Sequence, residues 1–519
     1  MFRKIKMLLD RNLPLNAYLD EHQATECHGE QSMRSGTYAV VGRAANLVTQ
    51  IGSTIILAHL LEPDDFGLFA MMAAVASVTP VLMDLGTRDA AVQKACLTVG
   101  EVNALFWLSV GIGLGLTVLV IACRSVIAAF YQDSRLLNIA VVWTLTFLFS
   151  SLSLQHTALL RRAMRFDYIY MLEIVSGLLG ATGAIVMAWN GSGYWALVFR
   201  PVLTAGLYMI GVWLSCPWIP GRPSPWTEVR SMLTLGAQIT VFSITDAIGK
   251  SMDRIVLGRL GGAIQVGYYH NASTVYENPL GVFGMSIHTV AIASLSKLRN
   301  MPDELRRYWE TALSSLTFFA MPVFVILAIS GSDVVIVLFG EKWQYAGTLL
   351  GVIAIRGPAH VIERSHGWLH VVGGRGDRWV RWGIFSCLIQ VAAVACGIPF
   401  GAIGIAAAST IAIYLLAVPA VLYSSYPFGI GVGHLARAVG PQFLGAMCAM
   451  VAGFVLHTLY LSDTPVLERI ALVTLPSMAL YLLVTVGLFR VTQPLVLAWS
   501  LIRRILPTRL RQMLASAPR

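Results

Sequence analysis

Residues 103–123 read NALFWLSVGIGLGLTVLVIAC, an apolar run without a charge or a proline. Coiled as a helix at ~1.5 Å per residue, a run of about 20 such residues crosses the ~30 Å hydrocarbon core of a bilayer. Backbone in lipid has to satisfy its own N–H and C=O groups, so a helix is the form such a run takes. Working outward in both directions, similar runs recur from Ser35 to Arg490. Bounded by Gly, Pro and charge, they place helices near 35–60, 66–87, 103–123, 137–159, 169–189, 194–215 and 231–258, then near 265–294, 308–330, 345–371, 379–399, 402–424, 435–461 and 468–490. The expected fold is an all-α polytopic membrane protein with about fourteen transmembrane helices. Composition agrees, since 56% of the 519 residues are hydrophobic and 12% are charged, about half the charged share of a soluble domain.

The formal charge of +10 raises the question of a nucleic-acid partner, and the placement of the basic residues answers it. With the N-terminus inside, 26 of the 37 Lys and Arg fall on the inner side, among them Arg3, Arg34, Arg161, Arg299, Arg378 and Arg504. Only Arg124, Arg135, Arg259, Lys342 and Arg469 fall outside. This is the positive-inside bias of a membrane protein with both termini cytoplasmic, so the charge reports topology and implies no nucleic acid. The opening MFRKIKMLLDR has too short an apolar stretch for a signal peptide, and residues 1–33 read as a cytoplasmic tail. The seven cysteines show no metal-ligand spacing and read as packing residues.

Ser215 to Arg230, SCPWIPGRPSPWTEVR, holds four prolines and reads as a linker. It divides an N-lobe at 34–215 from a C-lobe at 231–424, with 216–230 between them and two further helices and a basic cytoplasmic tail in 425–519. An internal repeat straddles the linker. At an offset of 200 positions Gly36, Val41, Ile55, Leu57, Leu60 and Gly67 match Gly236, Val241, Ile255, Leu257, Leu260 and Gly267, as a duplicated transporter would.

Six basic residues remain inside apolar segments: Arg43, Arg200, Lys250, Arg254, Arg356 and Arg364. Each costs ~2.5 to 3.5 kcal/mol at a helix centre, so each should face protein or water. Asp246, Lys250, Asp253 and Arg254 share one helix face, and Arg43, Asn46, Gln50 and Thr54 make a stripe of the same phase in the first helix. Arg356, His360, Glu363, Arg364 and His370 repeat the pattern in the tenth. Three polar stripes imply a shared hydrated cavity with an excess of positive charge, suited to a phosphate-bearing head group because the guanidinium fork fits phosphate oxygens. Arg43, Lys250, Arg254, Arg356 and Arg364 are the candidate substrate-binding residues, and Asp246 is the candidate for coupling to an ion. The alternative is that these charges pair internally, Asp246 with Lys250 for example.

Other signals carry less. Glu363-x-x-His366 with His370 has no facing partner motif for a metal pair, and Gly373-Gly374-Arg375-Gly376 lacks the strand and Lys-Ser or Lys-Thr of a nucleotide loop. No cofactor or metal is expected. Gly397 to Gly401 is a Gly-x-x-x-Gly spacing that reads as close helix packing.

The stretch ILAHLLEPDDFGLFAMMAAVASVTPVLMDLGTRDAAVQ, Ile56 to Gln93, resembles the opening of the Wzx-type oligosaccharide flippases, the polysaccharide transporter family of the MOP superfamily. DRIVLGRLGGAIQVGYYHNASTVYENPLGVF, Asp253 to Phe283, and LFGEKWQYAG, Leu338 to Gly347, are similar to the colanic-acid and succinoglycan exporter branch. Within the first stretch, Glu62 to Gly67 reads as a turn, with Pro63 at its second position and Gly67 starting the next helix. The resemblance implies two six-helix lobes around a central cationic cavity, with two helices appended. It implies alternating access that carries undecaprenyl-diphosphate-linked repeat units from the cytoplasmic to the periplasmic leaflet of a bacterial inner membrane. A polymerase and a chain-length regulator are the protein partners it implies. A drug or ion antiporter of the same superfamily would favour acids in the N-lobe, where only Asp84 and Glu173 stand out, and a membrane polymerase or ligase would need a long outer loop that the sequence lacks.

Overall fold

The computed structural model describes residues 28–84, 97–222, 227–459, 464–497 and 499. The tail as far as residue 27, the loop with Arg88 and Lys94, residues 223–226 of the expected linker and the basic C-terminal tail lie outside the described residues.

Regular structure among the described residues is helical throughout. In chain order the elements are α1 (His28–Leu60), α2 (Pro63–Asp84), α3 (Val99–Tyr131), α4 (Leu136–Arg162), α5 (Phe166–Trp189) and α6 (Trp195–Ser215). The segment Thr227–Lys297 is two helices, α7 (227–261) and α8 (263–297), parted at Gly262. There follow α9 (Pro302–Ile329), α10 (Gly331–Phe339), α11 (Gln344–Ile355), α12 (Gly357–Arg364), α13 (His366–Gly373), α14 (Gly376–Gly397), α15 (Gly401–Ser425), α16 (Val432–Leu459) and α17 (Val466–Leu482). Nine helices among the described residues are long and apolar enough to cross a membrane, ten if the pair Glu341–Ile355 and Gly357–Gly373, bent by 48°, is one crossing. One of the nine, Gly376–Phe428, runs through 53 residues. At ~1.5 Å per residue that is more than twice the ~30 Å core, and Gly401, at φ +67°, breaks it.

Local chemistry explains where the helices start. Thr98 caps α3, taking the Glu101 N–H at 3.2 Å while the Glu101 carboxylate takes the Thr98 N–H at 3.0 Å. Between α1 and α2 the structure departs from the turn expected at Glu62 to Gly67. Pro63 is already the first helical residue, Asp65 accepts the Glu62 N–H at 3.0 Å, and Gly67 lies within α2. Proline at the first position and acids in the first turn suit a helix N-terminus, and here they prevail over the turn.

Two compact units emerge. The first comprises Met1–Asn271, Leu338–Trp343 and Gly383–Ala402. Within it α1 packs on α5, α3 on α4, and α6 on both α4 and α5. Its core gathers Val102, Leu105, Phe106, Leu159, Val212 and the linker residue Trp218. The linker is fastened there, since Gly221 takes the Trp107 indole N–H at 2.8 Å and gives its own N–H to Asn103 at 3.0 Å. The second unit comprises Ala272–Val337, Gln344–Trp382 and Ile403–Arg519, with α9 packed on α16 and α16 on α17.

In the first unit two close approaches mirror each other. A Cβ on Gly67 would lie 1.8 Å from the Ala263 carbonyl oxygen, and one on Gly267 would lie 1.9 Å from the Pro63 carbonyl oxygen. Adding 200 to Gly67 and Pro63 gives Gly267 and Ala263, so the two contacts exchange under the offset of the sequence repeat. Only glycine allows backbone to meet backbone this closely. The breaks correspond as well, for Gly262 (φ +71°, ψ −177°) stands 200 positions after Glu62, the cap between α1 and α2.

Candidate substrate site in the apolar helices

On α7 the expected stripe resolves into separate pairings. The Lys250 ammonium meets the Asp246 carboxylate at 2.5 Å, with both side chains about half exposed. Asp253 is buried and accepts the Tyr269 hydroxyl at 2.6 Å on one oxygen and the Arg254 N–H at 2.8 Å on the other. Tyr269 is fully buried on α8, so this bond ties α7 to α8 across the break at Gly262. Arg254 lies within electrostatic reach of His270, also on α8. Arg43 is exposed on α1, and one turn on, Asn46 reaches Glu173 of α5 at 3.5 Å. Arg43, Asp246, Lys250 and Arg254 all belong to the first unit.

Arg356 and Arg364 belong to the second unit. The tenth stripe was expected on one continuous helix, but the chain bends by 48° at Arg356 and the helix is interrupted at Ser365, and its polar residues fall into two clusters. In the first, the Arg356 guanidinium sits 4.7 Å over the ring of Tyr276, whose hydroxyl is 2.8 Å from His360 Nδ1. The rings of Tyr276 and His360 stack at 23°, and Arg364 lies within electrostatic reach of the same tyrosine. In the second, Glu363 meets His366 at 3.2 Å and His370 stacks on Trp379 at 11°. The structure thus brings Arg356, His360 and Arg364 together on Tyr276 and turns His366 and His370 toward the α14 aromatics. A guanidinium held over an aromatic face keeps its charge and its planar fork in an apolar setting, which suits it to an anionic ligand.

Sequence reasoning missed Tyr276, which lies inside the stretch Asp253 to Phe283 quoted for its family resemblance but was given no role there, and it missed the centre at Asp333. Asp333, at the start of α10, is 2% exposed. Arg469 of α17 grips both its oxygens, one through Nε at 2.9 Å, and His457 Nε2 of α16 lies 2.9 Å away. Arg469 was expected to be an outer loop charge. No local spacing joins residues so far apart in the chain, and the only signal was an acid amid apolar neighbours.

Comparison with known proteins gives this geometry a context. A family described as "Polysaccharide biosynthesis protein" matches residues 56–347. An uncharacterized membrane protein in the cps region of Klebsiella pneumoniae is 25% identical over 367 residues, covering 70% of this chain and 75% of its own. The lipopolysaccharide biosynthesis protein WzxC of Escherichia coli K12 is 24% identical over 385 residues, covering 72% and 77%. Among solved structures the lipid II flippase MurJ, in an inward closed conformation, superposes with a TM-score of 0.69 over 88% of this chain and 99% of its own, at 15% identity.

Proposed function

Because the chain belongs to the polysaccharide biosynthesis family of Wzx-type transporters in the MOP superfamily, we propose that it flips undecaprenyl-diphosphate-linked oligosaccharide units from the cytoplasmic to the periplasmic leaflet. Fourteen spans, in two six-helix lobes and an appended pair, would carry this out by alternating access in a bacterial inner membrane. The reciprocal contacts of Gly67 and Gly267 support the duplicated lobes. The shared fold with a lipid flippase supports the class of cargo.

The observation that carries the reading is the guanidinium of Arg356 held on Tyr276, with Arg364 beside it, inside apolar helices. A diphosphate is the ligand such a pair suits, because it offers charge and bidentate oxygens at once. Arg43 and Arg254 join them as binding residues in this reading. Lys250 takes part through its pair with Asp246, which remains the acid proposed for ion coupling.

The test is polymer export beside protein level for Arg356→Ala and Arg364→Ala in a strain that depends on this chain. Export falling at least tenfold with the protein still abundant in the membrane fits a binding role. Protein lost in step with export identifies the arginines as structural and removes the site.

A further inference from the structure

Of the turns that the basic loops leave on the opposite face, six lie in the first compact unit: those at Leu61 to Glu62, at Gln132 to Arg135, at Asn190 to Tyr194, at Gly262, at Gly340 to Trp343 and at Ile398 to Phe400. Two of them are straps that reach onto other helix ends.

The first strap is 338–343. Trp343 is fully buried, its indole N–H donates to the Ala58 carbonyl at 3.0 Å, and its ring meets Phe66 edge-on at 5.1 Å and Tyr268 edge-on at 5.8 Å. Lys342 donates to the Leu61 carbonyl at 2.7 Å and the His59 carbonyl at 3.3 Å, and reaches Glu62 at 3.4 Å. The last carbonyls of a helix have no partner within it and carry its negative end, so the strap satisfies both needs of α1.

The second strap is 131–135. Tyr131 is buried, and a Cβ on Gly258 would lie 2.5 Å from its Cε1, so the ring rests on the last turn of α7 where only glycine leaves room. Arg135 bridges to Asp64 at 2.5 Å, at the start of α2. The targets Ala58 and Gly258 are 200 positions apart. The straps correspond too, for Gln132 (φ +58°) and Gly340 (φ +92°) are left-handed residues 208 positions apart at the same place in each turn.

Each half of the repeat therefore clasps the first helix of the other half, and the glycine crossing of α2 with α8 lies between the clasps. We propose that these contacts form one reciprocal latch that closes the outer end of the protein, and that cutting either clasp opens it. Its purpose rests on the alternating-access reading above, whereas its existence can be tested without any cargo.

The experiment uses the full chain with its seven cysteines replaced by serine and the substitution Val266→Cys as reporter. Val266 is fully buried on α8, one residue before Gly267. A membrane-impermeant maleimide is applied to intact cells. The latch predicts little labelling in this background and roughly tenfold more, the shift that ~1.4 kcal/mol produces, after either Trp343→Ala or Gly258→Trp. These substitutions cut opposite clasps yet should expose the same thiol. If only one of them exposes it, or neither does while the protein stays abundant, the reciprocal latch is wrong. Labelling confined to inverted vesicles equally overturns it, because the end would not be the outer one. Should Trp343→Ala lower the protein level, Lys342→Gln decides the first clasp, since that side chain is only partly buried. Labelling as predicted with export unaffected by the arginine variants would remove the arginine site of the flippase reading and leave the latch standing.

Discussion

Lys250 and Asp246 form an ion pair at 2.5 Å, one turn apart on α7 with the acid on the N-terminal side. That order is the favourable one for an i, i+4 pair. Both side chains are about half exposed, so the pair is worth less than ~1 kcal/mol to folding. Asp246→Asn and Lys250→Gln are therefore expected to leave the protein level within about twofold of wild type. Their effect should appear in export, read by quantifying polymer against immunoblotted protein. A steep fall in protein for either single variant, reversed in the double variant, would make the pair a structural element.

The glycine crossing predicts a matched pair of defects. Gly67→Ala and Gly267→Ala each drive a Cβ into a carbonyl oxygen at under 2 Å, and backbone on both sides leaves little room to relax. Each should cost several kcal/mol, more than ordinary overpacking at ~1 to 3 kcal/mol. Gly52→Ala, in α1 with nothing within 4 Å of the added carbon, is the control and should gain up to ~1 kcal/mol. Thermal unfolding of the purified protein in detergent separates these outcomes, and equal midpoints for Gly67→Ala and Gly52→Ala would contradict the crossing.

Acid should loosen the second strap. Hydrogen bonds from Arg135 hold the Asp133 carboxyl below the usual carboxylate range. A group whose folded pKa is depressed stabilises the fold above its unfolded value near ~3.9, and that contribution is lost as pH falls through the folded value. Asp133→Asn should therefore lower stability at pH 7 and converge with wild type as the pH falls through that depressed value. A stability difference between the two that does not narrow as acid protonates the carboxyl would refute the pairing.

Thiol chemistry offers a check on the linker. Cys216, just past the end of α6, is 4% exposed, and burial pushes its thiol up to about 11. Cys396 is exposed near the end of α14. At pH 8 the native protein should react with maleimide at Cys396 and not at Cys216, with Cys216 reacting only after denaturation. Peptide mapping by mass spectrometry reads both, and fast native reaction at Cys216 would show that the linker is not packed as described.

The positions of the apolar helices were legible because lipid leaves so few options that run length alone nearly decides them. Their interruptions were less so. Gly357-Pro358 stood inside the run expected at 345–371, and proline within the first turn marks a new helix start. Treating the run as one period carried the stripe from Arg356 to His370 across the bend at Arg356 and the interruption at Ser365. Gly67 and Gly267 could be matched from sequence, yet nothing there said that each faces the other's helix start. The pairing of Lys250 with Asp246 was readable as one of two outcomes, because i, i+4 spacing permits both a pair and a stripe. The Asp333 centre was not readable, since its partners approach from two helices more than a hundred residues downstream.

That last separation has a bearing on how the protein is made. Asp333 leaves the ribosome 124 residues before His457 and 136 before Arg469. A carboxylate placed in lipid is costly on its own, so during synthesis Asp333 has to wait at the headgroup boundary, or protonated, until α17 arrives with its arginine. The final helix therefore acts as a late fastener, and chains that end before it should be recognised as incomplete by membrane proteases. Truncation after residue 460 is expected to shorten the life of the whole polypeptide, and Asp333→Asn, which removes the waiting charge, is expected to restore part of it.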